Sequence, residues 1–84
     1  MARSKFAYGR YQIINRELRK KPWVKTSELK KRIESELGQT ISTRQIDKDL
    51  DDMKSDILLG YNAPIKYDQS NKGYSYTDRS YSID

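Results

Sequence analysis

Apolar residues recur along this chain with two different periods, and the change between them divides it. Over residues 7–20, Tyr11, Ile14 and Leu18 stand at i, i+3 and i+7 and line one face of a helix. The "KKPW" that follows stops it, because the residue before Pro22 is pushed out of the α region. Over 27–37, Leu29, Ile33 and Leu37 recur every four residues, with Thr26 or Ser27 placed to cap the start and Gly38 to close the end in the left-handed conformation. A third helix is predicted over 43–58, capped by Ser42, with Ile46, Leu50, Met53 and Ile57 in a narrow stripe.

After Leu59 the period becomes two. "PIKYD" and "GYSYT" each alternate, placing Ile65 with Tyr67 on one face and Tyr74 with Tyr76 on another, with "QSNK" between them. This predicts a β-hairpin with strands over 64–68 and 73–77. Pro64 is acceptable at the first strand's start, where no ladder bond needs its missing donor. Tyrosine rings in the hairpin can cover a small core while keeping their hydroxyls in water. Three helices followed by a two-stranded wing, with about four residues joining the second and third helices, is the order of a winged helix-turn-helix. The expectation is an α+β fold and one domain over 1–84, whose tail, 78–84, is polar and extended with Tyr81 and Ile83 available for docking.

Composition narrows the chemistry. With 35% of residues apolar and another 35% charged, the fold leans on a few well-spaced hydrophobic positions. Cysteine and histidine are both absent, which excludes a disulfide framework and the usual zinc ligand sets and removes the commonest general base. No enzyme, cofactor or metal is expected. The N-terminus holds no apolar run for a secretory signal or a membrane span, so a cytoplasmic protein is expected. Charge is unevenly spread: residues 1–37 hold 11 Lys/Arg against 4 Asp/Glu, residues 38–59 hold 3 against 5, and residues 60–84 hold 3 of each. A basic half against a neutral half suggests a surface that meets an anion, with nucleic acid the leading candidate.

Two motifs carry a family resemblance. Ser42-Thr43-Arg44-Gln45-Ile46-Asp47-Lys48-Asp49-Leu50 with Met53 resembles the "S-x-R-T-I-x-x-D-L-x-x-L" helix in the N-terminal domains of WYL-type, DeoR-like bacterial transcriptional regulators. "GYNAPIKYDQSNKGYSYTD" resembles the wing that follows it there. The resemblance spans roughly residues 8–83 and implies a sequence-specific reader of double-stranded DNA. It also implies either a sensory WYL domain downstream, the favoured reading, with "SYSID" as the start of the linker, or a free-standing relative; a monomer or weak dimer is expected in isolation. The helix departs from the family form in carrying more acid.

That acid poses the main question of the chain. "STRQIDKDLDDMKSD" has the periodicity of a DNA-reading helix, yet holds aspartates at 47, 49, 51, 52 and 56 against three basic residues. On a wheel of about 100° per residue with Ile46 at zero, Arg44 and Lys48 fall at about 160° and 200°, opposite the core and one turn apart. Gln45 lies to one side of them, Asp47 to the other, and Thr43 at the N-terminal tip, the part of such a helix that reaches base edges. The expected readers are therefore Thr43, Arg44, Gln45 and Lys48. Arg44 suits guanine and Gln45 suits adenine, each in a bidentate bond.

Asp51 and Asp52 are expected on the outer side, pairing with Lys48 and Lys54, and Asp49 near the core edge beside Lys30 or Arg32. Asp47 is expected to hold Arg44, to accept from cytosine, or simply to be solvated. Backbone phosphate contacts are expected from Arg3, Lys5, Arg10, Lys25, Ser42, Lys66 and Lys72. Trp23 is expected in the core. The competing function is a protein-interaction module that uses the acidic face of the third helix.

Overall fold

The structure is a computed structural model that describes residues 5–55, 60–78 and 80–83, with side chains from residue 6 onward. Three helices, α1 (Lys5–Lys20), α2 (Thr26–Leu37) and α3 (Thr43–Lys54), precede the strands β1 (Ile65–Asp68) and β2 (Gly73–Tyr76). The strands form a two-stranded antiparallel hairpin, and the domain is α+β with the element order of a winged helix-turn-helix. Among the described residues no helix is long and apolar enough to cross a membrane.

The three stripes meet in one core. Tyr11, Ile14 and Leu18 of α1, Leu29 and Ile33 of α2, and Ile46, Leu50 and Met53 of α3 are buried together with Val24, Ala63 and Tyr76. Leu37 packs half-buried against them. Ile57 lies outside the described residues.

Helix ends follow from local hydrogen bonding. The N-cap of α2 is Lys25 rather than Thr26 or Ser27. A lysine side chain has no acceptor, so the cap works in reverse: the Glu28 carboxylate accepts from the Lys25 backbone N–H at 3.2 Å. Gly38 closes α2 at φ 67, and its N–H donates to the Glu34 carbonyl. Ser42 caps α3 as expected, accepting from the Gln45 N–H at 3.1 Å. α3 stops at Lys54, four residues earlier than predicted, because Ser55 is extended and the returning chain takes the free carbonyls: Ala63 N–H donates to Met53 O and Asn62 N–H to Ser55 O.

In the hairpin, Ile65 pairs with Tyr76 and Tyr67 with Tyr74. Directly opposed residues share a face, so all four stand on the same side rather than on two. The buried ring, Tyr76, also differs from expectation in donating its hydroxyl to Asn15 Oδ1 at 2.7 Å instead of to water.

Periodicity gave no sign of a third partner for the hairpin. Val24 exchanges both backbone hydrogen bonds with Tyr74, at 2.7 and 2.8 Å, so β2 is held on both edges. To reach it Trp23 takes φ 62, and the chain passes so close that a Cβ on Gly73 would lie 2.5 Å from the Trp23 carbonyl. Trp23 is accordingly half-buried at the base of the wing instead of in the core.

The tail docks through Tyr81 and Ile83, the residues expected to be available for it. Tyr81 stacks edge-on against Tyr76 and donates to the Tyr61 carbonyl, while Ser82 and Ile83 bond Asn15.

Two outcomes test this packing. Gly73→Ala is expected to cost about 1–3 kcal/mol through overpacking against the Trp23 backbone, read as a lower midpoint in urea unfolding. The second concerns the turn between α2 and α3, where the Glu34 carboxylate accepts from Lys30 Nζ at 2.7 Å and Ile41 N–H at 2.9 Å. These bonds, Lys30 first, hold its pKa below the ordinary 4.5. A depressed carboxylate stabilises the fold above its unfolded value and stops doing so as pH falls through the folded one. Glu34→Gln is therefore expected to melt below the native domain at pH 7, with the gap closing once the pH is well under 4.5.

Candidate nucleic-acid interface

α3 presents three flanks, and its charges are sorted among them. Arg44 and Lys48 are exposed on the solvent face, and Thr43 is exposed at the tip. Lys48 Nζ lies 3.8 Å from Asp52 Oδ2, with most of the lysine side chain in water. Two cationic heads one turn apart offer donors only, which suits a surface of acceptors.

The second flank faces α1. Asp49 has no exposure to solvent and accepts from Arg10 Nε at 2.6 Å and Nη2 at 3.2 Å. Its Oδ1 also accepts from Gln45 Nε2 at 2.9 Å. The hydrogen bond to Asp49 raises the Arg10 pKa despite the opposing effect of burial.

Several expectations change here. Asp49 does not meet Lys30 or Arg32, which pair with Glu34 and Glu17 instead. Arg10 is not a freely solvated side chain, since the Nε and Nη2 edge of its guanidinium is committed to Asp49. Asp52 meets Lys48 as its spacing suggested but is buried rather than on the outer side, 4% exposed and close enough to Arg10 to add to its field. Gln45 is half-buried with its amide engaged, so it is an oriented group rather than a free one.

The third flank faces the wing. Asp47 and Asp51 are exposed there, beside Tyr74. Burial first, then the charges of Asp47 and Asp51, raise the Tyr74 hydroxyl pKa. Asp51 pairs with Lys54 at 3.5 Å, as its spacing suggested. The acidity of the helix thus falls beside the face that carries Arg44 and Lys48: Asp49 and Asp52 are inside, and Asp47 and Asp51 turn to the wing. Asp56 lies outside the described residues.

The expected phosphate ligands divide. Lys25, Lys66 and Lys72 are exposed, at the α2 start, on β1 and at the hairpin tip. Ser42 is exposed while its Oγ serves the cap. Arg3 and the Lys5 side chain lie outside the described set. A groove between α1 and α2, lined by Gly9, Ile13, Arg16, Glu36 and Leu37 among others, holds none of the expected ligands that are among the described residues.

Comparison with protein-family models, with curated proteins and with solved structures found no match to this chain.

Two substitutions separate structural from surface roles. Arg10→Ala strands a buried carboxylate and is expected to cost about 3 kcal/mol, read by chemical denaturation. Lys72 occupies φ 51, where glycine is easier to place. Lys72→Gly is expected to leave thermal stability equal or slightly higher, so any loss of nucleic-acid affinity in that variant is not a loss of fold.

Proposed function

We propose that this domain binds double-stranded DNA sequence-specifically as the reading part of a bacterial transcriptional regulator. In this reading α3 lies in the major groove and the hairpin rests on the backbone. The observation that carries it is the exposed pair Arg44 and Lys48, one turn apart on the second helix of the helix-turn-helix, with Asp49 and Asp52 buried and Asp47 and Asp51 turned to the wing. The resemblance of Ser42 to Met53, and of the wing, to the WYL-type regulators supports the same reading.

In this arrangement Arg44 takes guanine O6 and N7, while Thr43, Gln45 and Lys48 reach adjacent base edges. Lys25, Lys66 and Lys72 bind phosphate and fix the register without reading sequence. No catalytic step is proposed. The alternative, a protein-interaction surface on acidic α3, is weakened because Asp49 and Asp52 are buried, leaving Asp47 and Asp51 as its described exposed acids.

The test is a fluorescence-anisotropy titration of duplex DNA at several salt concentrations, with the native domain and with Arg44→Ala/Lys48→Ala. Each phosphate contact adds about 0.9 to the log–log salt slope, so a slope of several units is expected for the native domain. The double variant is expected to bind its preferred duplex at least about tenfold more weakly. Equal binding by both proteins, or none near about 0.15 M salt, would overturn the reading and turn attention to a basic protein partner for Asp47 and Asp51.

A further inference from the structure

A side-chain amide has a donor end and an acceptor end of nearly equal size, so an unrestrained glutamine reads either way round. Gln45 is restrained. Its Nε2 donates to Asp49 Oδ1 at 2.9 Å, and Asp49 in turn is gripped through both oxygens by Arg10, at 2.6 and 3.2 Å. We propose that Arg10 and Asp49 fix the orientation of the Gln45 amide and thereby make Gln45 a reader of adenine. This rests on the DNA reading above and adds residues from the first helix to the determinants of specificity.

The argument is one of donors and acceptors. An ionised carboxylate only accepts, so turning the amide over would press Gln45 Oε1 against Asp49 Oδ1, two acceptors in a partly buried place. Arg10 supplies donors alone and keeps Asp49 from rotating to relieve that conflict. The nitrogen end of Gln45 is thus held toward α1. What remains for a ligand is the second N–H beside Oε1, a donor next to an acceptor in one plane. Adenine presents the complement, the N7 acceptor beside the N6 donor, whereas guanine presents two acceptors, N7 and O6, and repels Oε1.

Gln45 sits in the first turn of α3, three residues after the Ser42 cap and at the edge of the face that carries Arg44 and Lys48. Arg10 and Asp49 touch no base in this scheme. They are positioning residues, and holding Gln45 in one orientation before binding removes an ordering cost from recognition.

The experiment selects bound duplexes from a randomised pool with the native domain, Gln45→Met and Arg10→Lys, each shown to be folded by thermal melting. On the native consensus, every adenine is then replaced in turn by 7-deazaadenine, which lacks the N7 acceptor. One adenine is expected to weaken native binding roughly tenfold on that replacement, and Gln45→Met is expected to ignore it. Arg10→Lys keeps the charge but loses the two-point grip, and is expected to retain the other positions of the consensus while accepting other bases at this one.

If the native domain binds no duplex, the DNA reading itself falls. If it binds and Gln45→Met selects the same consensus, the present inference falls and the DNA reading stands. If Arg10→Lys is folded and keeps full adenine preference, positioning by Arg10 and Asp49 is overturned. Should Arg10→Lys not fold, the side-chain amide protons of Gln45 in the free native domain decide by nuclear magnetic resonance. One shifted, slowly exchanging proton supports the restraint, and two ordinary fast-exchanging ones overturn it.

Discussion

A carboxylate withdrawn from water must be matched, and Asp49, midway along α3, is matched by Arg10 from α1. Two parallel hydrogen bonds from a planar guanidinium fix distance and angle together, so the pair sets how α1 lies against α3. A hydrophobic pair of similar volume would hold the helices as firmly, since desolvation consumes much of what a buried ion pair gains. The ionic solution differs in being directional. It also reaches beyond the two helices, because the carboxylate has one oxygen to share with Gln45.

The opposite flank of α3 is set by the wing, and the wing is set by the linker between α1 and α2. β2 is bonded to β1 on one edge and to Val24 on the other. Strain at Trp23 and the missing side chain at Gly73 permit that contact. The hairpin is consequently part of the body of the domain at its base and projects only at its tip, where Lys72 stands. Between α1 on one side and Tyr74 on the other, α3 exposes a narrow face. This is why a helix with so many aspartates displays Arg44 and Lys48 there.

How much of this was legible depended on whether the signal was periodic. α2 was read to within one residue because Leu29, Ile33 and Leu37 repeat and Gly38 marks the stop. The hairpin was read from alternation, and Arg44 and Lys48 were placed from the wheel alone. The bridge at Val24 is a single residue and has no period to detect. The wheel put Asp49 near the core edge without naming its partner. The available clue was Arg10, one turn before Ile14 and so beside the α1 stripe, where a free phosphate ligand would be out of place. Tyr81 and Ile83 stand out in a polar tail as docking residues, but the place they dock had no local signature, since it depends on Asn15, a polar residue next to the same stripe. α3 ended early because of bonds to Asn62 and Ala63, which lie beyond the range of any helical pattern.

Asn15 has a consequence for the order in which the chain is made. It is 3% exposed, and its side chain is satisfied by Tyr76, Ser82 and Ile83, which follow it by 61, 67 and 68 residues. During synthesis α1 is made before these groups exist, and burying an amide without partners is unfavourable. The N-terminal helices therefore have no finished core to settle into while the nascent chain is short. The last strand and the segment behind it act as the latch, and the domain closes as a unit when they arrive rather than helix by helix.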